Sequence, residues 1–336
     1  MIEDHTDITK GDKNFVAGLS AEQQQSPIRG IVLMIAAGAT FCISSVFVKQ
    51  LSGDYSAFQI VFIRSFFVIV VALAIAARSG GLNALKTKHP FLHIARGCIG
   101  FLSVCSFFYA VQRLPIADAM TAAYCAPLFI TALSVPLLKE VVGIRRWAAV
   151  VVGFTGVVVV AGPQGATNIA LLVAIFSALT YAGVAILIRK MGSTETLASV
   201  AFYTAAIYII LGAVISIPTW VPIAPSDWLI FGGIGLFGTI AQILMTASYR
   251  SAPVAVVSPF EYTSFVWAIG FDFIIWNLSP AWATLAGSSI IIASGIYIVH
   301  RETVQNRTPV QPGSPRVPMG STFNDPQTEQ RKPQDS

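Results

Sequence analysis

Residues 57–77 read AFQIVFIRSFFVIVVALAIAA, a run of 21 positions in which Arg64 is the one charged side chain. A helix needs about 20 apolar residues to cross roughly 30 Å of hydrocarbon, so this run predicts a membrane-spanning helix. Similar runs lie near 30–49, 91–112, 115–138, 146–163, 168–189, 196–217, 228–250, 253–276 and 281–299. They lack the alternation of apolar and polar residues that is typical of a membrane β-strand. We therefore predict an all-α membrane protein with ten transmembrane helices.

The composition excludes a soluble globular protein. Of the 336 residues, 55% are hydrophobic and 11% are charged, whereas a soluble domain carries about 25% charged residues. The two ends of the chain differ from the rest: residues 1–29 are polar without an apolar core, and residues 301–336 hold six prolines. We predict that both are disordered cytoplasmic tails and that residues 1–29 are not a cleavable signal peptide.

The basic residues indicate how the helices are oriented, because loops rich in Lys and Arg stay in the cytoplasm. Of the 21 Lys and Arg residues, 17 lie in the two tails and in alternate connections. Lys49 and Arg113 lie on the other side, and Arg64 and Arg96 lie within spans. This division predicts an even number of helices with both termini in the cytoplasm.

The sequence repeats itself at an offset of 138 residues. With this shift, four of the five span starts of the first half coincide with span starts of the second half, and Tyr124 aligns with Tyr262. We therefore predict two five-helix units, residues 30–163 and residues 164–300. Because five is an odd number, the second unit enters the membrane from the other side. Such inverted repeats are used by many secondary carriers, with a substrate site near the midplane.

Several motifs resemble the drug/metabolite transporter superfamily, EamA type. They are LPIADA at 114–119, YCAPL at 124–128 and SPFEYT at 258–263, and the resemblance covers about residues 28–302. It implies a ten-helix, multi-pass transporter of the bacterial inner (plasma) membrane. One motif departs from the family, which often closes its ninth span with a Gly-Glu pair, whereas WNLSP stands at 276–280. The role that the resemblance implies for the Glu of this pair therefore has no counterpart at 276–280.

Charged side chains inside the spans are candidates for a substrate site, because each costs about 2.5 to 3.5 kcal/mol at a helix centre unless it has a partner or water. Glu261 lies roughly 12 Å from the start of its span, and we interpret it as a cavity residue, with a structural ion pair as the alternative. Arg64 and Arg96 lie roughly 10 Å and 8 Å from the nearer ends of their spans, and for each the alternative is a structural charge that snorkels to the interface. We hypothesise that Glu261 faces the cavity near one of these arginines. On a continuous helix Asp272 shares the face of Glu261, and its position near the span end predicts an interfacial side chain.

Aromatic side chains complete the predicted substrate contacts, which are Glu261, Arg64, Arg96, Tyr124, Tyr262 and Trp267. A cavity walled by aromatic rings suits a flat, weakly charged metabolite, and packing in the core or against lipid is the alternative for each ring. Pro127 and Pro259 lie inside the fourth and ninth spans. Each removes a backbone hydrogen bond, so we expect a helix break at both, either beside the cavity or as a packing kink.

Other classes of function lack their motifs in this sequence. The four histidines lie in tails or at span ends, at positions 5, 89, 93 and 300. No Ser-His pair at mid-membrane depth and no HExxH zinc motif is therefore formed. The sequence also holds neither a channel selectivity filter nor a P-loop of an ATP-driven pump. We predict a carrier driven by a gradient or by exchange, which is not an enzyme and uses no metal and no cofactor.

The resemblance narrows the substrate to a few classes. The branch with a similar ninth span resembles bacterial importers of riboflavin and of S-adenosylmethionine, and another branch exports amino acids and related metabolites. We favour uptake of a flat heterocyclic compound such as riboflavin by alternating access, with S-adenosylmethionine uptake or exchange and amino-acid export as alternatives. The expected partners are a small-molecule substrate and the lipid bilayer, with no nucleic acid, and formation of a homodimer is left open.

Overall fold

A computed structural model describes residues 27–78, 81–139, 142–162, 168–191, 195–252 and 254–307. The predicted tails at 1–26 and 308–336, together with Pro253 and Glu140, lie outside the described residues. Within the described chain all regular secondary structure is helical. The predicted fold class, an all-α membrane protein built from two five-helix repeats, is confirmed.

The helices follow the predicted spans closely. They are α1 (Pro27–Gln50), α2 (Ala57–Arg78), α3 (Pro90–Arg113), α4 (Ile116–Ala123), α5 (Ala126–Leu138), α6 (Ile144–Ala161), α7 (Ile169–Met191), α8 (Leu197–Ser216), α9 (Trp228–Ser251), α10 (Val254–Val257), α11 (Ser264–Trp276) and α12 (Trp282–Arg307). Short 3₁₀ helices lie at Gly81–Leu85, Ile217–Thr219 and Ser258–Thr263. Two predicted tail boundaries are wrong by a few residues, because α1 already begins at Pro27 and α12 continues to Arg307.

Nine helical segments of the described chain are long and apolar enough to cross a membrane, when α4 and α5 count as one. The ninth predicted span, 253–276, is divided into α10, the 3₁₀ helix Ser258–Thr263 and α11. Both predicted breaks are therefore present: Pro127 lies in the first turn of α5, and Pro259 lies in the first turn of the 3₁₀ helix. Proline lacks the N–H that a helix interior requires, so each fits a helix start rather than a helix centre.

The helices pack with the pairing of a pseudo-twofold axis. Helix α1 packs on α9 and α3 packs on α7, and the repeat exchanges these two pairs. Helix α2 packs on α8 and α6 packs on α12, and the repeat maps each of these pairs onto itself. Two residues repeat the symmetry locally, since Lys139 and Asn277 lie 138 positions apart and both end their helices in the left-handed conformation.

Connections that the topology places on one side of the membrane also meet in space. We call the side with connections 79–89, 139–143, 192–196 and 252–253 the basic end, and the other side the opposite end. At the basic end the Thr196 hydroxyl donates to the Ala84 carbonyl. At the opposite end the Tyr55 hydroxyl donates to Asp227 at 2.7 Å, and the Gln59 amide donates to the Val221 carbonyl at 2.7 Å.

One helix pair breaks the symmetry. Near the opposite end α1 packs on α3, with Phe41 stacked on Phe107, and α4 packs on α11. The symmetry-related pair of α1 and α3 is α7 and α9, and these two helices do not pack together to the same extent in the described chain. An inverted repeat that closes one end and leaves the equivalent contact unmade at the other has a cavity open to one side. This asymmetry of the contacts favours a bundle that is closed toward the opposite end and open, between α7 and α9, at the basic end.

Candidate functional site

Glu261 lies where the ninth span is divided. The 3₁₀ helix Ser258–Thr263 begins roughly 6 Å into the bundle from the start of α10, and Glu261 lies roughly 12 Å deep. Its side chain is exposed although protein atoms surround it densely. Exposure within dense surroundings is expected of a residue that lines an internal cavity rather than the lipid face.

Four tyrosines lie near this carboxylate, and one of them contacts it. The Tyr249 hydroxyl on α9 donates to Glu261 Oε2 at 3.5 Å. Tyr181 on α7, Tyr262 and Tyr124 lie within electrostatic range of the same carboxylate. Tyr181 is 48% exposed and also lies within electrostatic range of Tyr249, which places its hydroxyl on the side of α7 toward α9. We call Glu261 with these four residues the tyrosine cage.

The repeat-related tyrosines of the cage meet each other directly. The rings of Tyr124 and Tyr262 lie edge to face with centroids 4.9 Å apart. Tyr124 is buried, and its hydroxyl forms a 2.5 Å hydrogen bond with the Ser264 hydroxyl on α11. The structure thus brings together three of the predicted substrate contacts, Glu261, Tyr124 and Tyr262. A carboxylate among aromatic faces can bind an organic cation by charge attraction and by cation–π contact.

Neither predicted arginine forms an ion pair with Glu261 in the described chain, and the hypothesis that Glu261 faces the cavity near one of them stays a prediction. Among the described residues, ion pairs join only Lys49 to Asp272 and His93 to Glu195. Arg96 instead donates to the Val200 carbonyl at 2.6 Å and to the Thr204 hydroxyl, both on α8. These two hydrogen bonds tie α3 to α8 and hold the Arg96 guanidinium against α8.

Arg64 lies in a different part of the bundle from Glu261. Its guanidinium carbon lies 5.5 Å from the centroid of the Phe108 ring on α3. Both Arg64 and Arg96 lie within electrostatic range of Tyr208 on α8. The predicted charged contacts therefore separate into an acidic part beside α7 and α9 and a basic part beside α3 and α8.

Trp267 lies apart from both groups. It is 41% exposed and is placed on α11 seven residues before Ile274, which is 77% exposed. Seven residues make about two helical turns, so the two apolar side chains share an outward face that suits lipid. The role of Trp267 as a substrate contact stays a prediction.

A buried ion pair closes the opposite end. Lys49 Nζ on α1 lies 3.1 Å from Asp272 Oδ1 on α11, and Asp272 Oδ2 accepts a 2.8 Å hydrogen bond from the Ala117 N–H. Asp272 is 2% exposed, so the interfacial position predicted for it is wrong. The prediction that it shares a face with Glu261 also fails, because residues 258–263 form a 3₁₀ helix and the 3.6-residue period does not hold across them.

A second acidic cluster lies at the basic end. Glu195 accepts hydrogen bonds from the Thr87 hydroxyl, the Lys88 N–H and the Ser199 hydroxyl, and it lies 3.1 Å from His93 Nε2. Burial acts to raise the pKa of Glu195, but these hydrogen bonds outweigh it and lower the pKa to about 2. Glu195 therefore stays ionised and fixes the start of α3 to the start of α8.

Sequence reasoning missed Tyr181, Tyr249 and the Lys49–Asp272 pair. Tyr181 is the one tyrosine of α7, and Tyr249 lies near the end of α9. Both belong to long apolar runs, and their separation from Glu261 in the sequence does not indicate that they lie near it. Lys49 was assigned to a connection, although a cation in the last turn of a helix can reach inward to an acid. No group of three or more His, Cys, Asp or Glu residues that could hold a metal ion is found in the described part of the chain.

Comparison with known proteins gives a consistent result. Residues 28–162 and 168–300 each match the EamA-like transporter family. The S-adenosylmethionine uptake transporter of Rickettsia prowazekii is 27% identical over 82% of this chain and 94% of its own length. The riboflavin transporter of Vibrio cholerae is 23% identical, with 84% and 96% covered. The pseudopaline exporter CntI of Pseudomonas aeruginosa is 25% identical, with 80% and 94% covered.

The fold also recurs among solved structures. One crystal structure superposes with a TM-score of 0.55 at 21% identity, covering 81% of this chain and 98% of that chain. At this identity the likeness concerns the fold alone. Two matching segments, one in each predicted half, agree with the internal repeat.

Proposed function

Because this chain belongs to the EamA-like transporter family, we propose that it carries a cationic heterocyclic metabolite of the S-adenosylmethionine class across the bacterial inner membrane. The observation that carries the proposal is the tyrosine cage: one carboxylate exposed in the interior of the bundle, with four aromatic rings around it. A sulfonium and an ammonium group find in it both a counter-ion and π faces.

The chemistry of the cage favours this substrate over the neutral compound that the sequence led us to prefer. Riboflavin can stack on tyrosine rings, but it offers no cation to Glu261. A carboxylate at mid-membrane depth without a cationic partner is costly, and a cationic substrate lowers that cost when it binds. Riboflavin stays the second candidate, because the aromatic walls suit its flat ring system.

The packing asymmetry supplies a route for alternating access. In the conformation described, the substrate reaches the tyrosine cage between α7 and α9, while Lys49 and Asp272 close the other side. Approach of α7 to α9 around the bound substrate, with parting of α1 from α3, produces the mirror conformation that the repeat permits. The positive-inside rule assigns the basic end, and both chain termini, to the cytoplasm.

Uptake of labelled S-adenosylmethionine by cells that otherwise lack such uptake tests this function. We expect uptake with the intact chain and a loss of about tenfold or more with Glu261→Gln at equal membrane expression, since a hydrogen bond or ion pair to a charged group contributes about 1.5 to 3 kcal/mol. Asp54→Asn, which neutralises an exposed acid at the opposite end, is the matched control.

Three outcomes separate the candidates. Unchanged uptake by Glu261→Gln contradicts the role of the tyrosine cage. Riboflavin uptake without S-adenosylmethionine uptake supports the second candidate. If neither compound is taken up by a well-expressed protein, inside-out vesicles loaded with amino acids test export, which then replaces both proposals.

A further inference from the structure

Arg64 occupies a pocket formed by four neighbouring helices. Its guanidinium lies over Phe108 of α3 and within electrostatic range of Tyr208 of α8. A Cβ atom at Gly238 of α9 would lie 3.0 Å from Arg64 Nε and 3.2 Å from the hydroxyl of Ser44, on α1. The side chain therefore points from α2 into the interior of the bundle and away from lipid.

No acid neutralises this cation in the described chain. Arg64 takes part in neither of the ion pairs found there, and its buried Nε has no hydrogen-bond partner. The Nε of Arg96 also lacks a partner, but two oxygens of α8 accept hydrogen bonds from the Arg96 guanidinium. A charged group inside a membrane protein without a protein counter-ion indicates a place for a ligand of opposite charge.

The depth of Arg64 separates it from the tyrosine cage. It lies seven residues from the start of α2 at the opposite end, roughly 10 Å along the helix, whereas Glu261 lies roughly 12 Å from the basic end. The hydrocarbon between the two ends is roughly 30 Å thick. The cation of Arg64 and the carboxylate of Glu261 therefore lie at different depths in the same bundle.

We infer that Arg64 binds the carboxylate of the substrate, so that the transported compound is a zwitterion with a cation for Glu261 and a carboxylate for Arg64. This inference rests on the proposed transport function and makes it more specific. S-adenosylmethionine carries a carboxylate as well as its two cationic groups, and riboflavin carries no carboxylate. Arg64 therefore acts as a specificity-determining residue that selects amino-acid-bearing substrates.

Two compounds that differ by one group test the inference directly. They are S-adenosylmethionine and its decarboxylated form, which keeps the sulfonium, the amine and the adenosine. Binding of each is measured with the purified full-length protein. We expect Arg64→Met to weaken S-adenosylmethionine binding about 10- to 100-fold, as for loss of a hydrogen bond to a charged group, and to change binding of the decarboxylated compound by less than about threefold.

Three further variants separate a lost subsite from a damaged fold. Arg64→Lys keeps the charge and is expected to retain part of the discrimination. Gly238→Ala keeps the arginine but crowds its Nε, so it should reduce the same discrimination. Arg113→Gln removes one exposed cation at the opposite end and is expected to change neither affinity.

Equal weakening of both compounds by Arg64→Met and by Gly238→Ala overturns the inference, because a merely structural role affects both alike. If the intact protein binds neither compound, the proposed function fails, and the subsite is tested with acetate and inorganic phosphate alone. A rise of Tm with either anion in the intact protein, reduced in Arg64→Lys and absent in Arg64→Met, then supports an anion subsite. Equal responses of all three proteins overturn it.

Discussion

Asp272→Asn should open the opposite end of the bundle. The substitution removes the negative charge that faces Lys49 at 3.1 Å, while the amide oxygen can still accept the hydrogen bond from Ala117. At this distance two unit charges attract by about 5 kcal/mol with an effective dielectric constant of about 20. Regained hydration of Lys49, which is 11% exposed, offsets part of that loss and leaves about 2 kcal/mol.

This energy acts on a conformational equilibrium, because the ion pair joins α1 to α11 only while the opposite end is closed. A difference of about 2 kcal/mol raises the ratio of open to closed molecules about 30-fold. Cys42 reports the change, since its thiol is fully buried at the contact of α1 with α11, about two helical turns from the ion pair, and donates to the Ser264 carbonyl. We expect an impermeant thiol reagent applied at the opposite end to label Cys42 about 30-fold faster in the variant.

The assay needs a protein in which Cys42 is the single reactive thiol. The background carries serine at the other cysteines, 98, 105 and 125. Asp54→Asn removes an exposed charge at the same end and controls for a general effect of charge. A labelling rate for Asp272→Asn within about threefold of the parent rate would show that the ion pair does not hold this end closed.

Two other predictions concern stability, read as thermal unfolding of the purified protein. The pKa of Glu195 is lowered to about 2 in the folded protein from 4.5, so its carboxylate stabilises the fold above about pH 4.5 and loses this effect as the pH falls toward 2. Glu195→Gln should therefore lower Tm at pH 7 and flatten the fall of Tm between about pH 5 and pH 3; a parallel acid profile in both proteins contradicts this. Gly287→Ala places a Cβ 2.6 Å from the backbone oxygen of Gly156 and should destabilise the α6–α12 contact by about 1 to 3 kcal/mol, whereas Gly270→Ala, with no atom within 4 Å of its Cβ, should not lower Tm.

Features that depend on local composition were predictable from the chain. The length of the apolar runs predicted the spans, because a backbone in lipid must form its own hydrogen bonds within a helix. Pro127 and Pro259 predicted the two helix breaks, because proline lacks the N–H of such a bond. The offset of 138 predicted the two units, and Tyr124 and Tyr262 meet as repeat-related residues should. Glu261 was chosen as a candidate because an acid at mid-span depth is costly.

Contacts between distant spans were not predictable in the same way. Apart from Tyr262, the tyrosines near Glu261 come from α7, α9 and the fourth span. Arg96 donates a hydrogen bond to a carbonyl of α8 and does not pair with an acid. In lipid no hydrophobic force selects one helix face over another, so shape and the placement of small residues set the rotation of each helix. Gly238 beside Arg64 is one such case.

Apolar length, charge bias and internal repetition are properties of a chain in one dimension, and they are enough to specify ten spans in two opposed units. The open end, the tyrosine cage and the position of the Arg64 cation depend on how those spans pack against one another. That arrangement follows from the contacts of side chains on helices that are more than 200 residues apart in sequence, as in the 222-residue separation of Cys42 and Ser264. No local pattern in the sequence records such contacts.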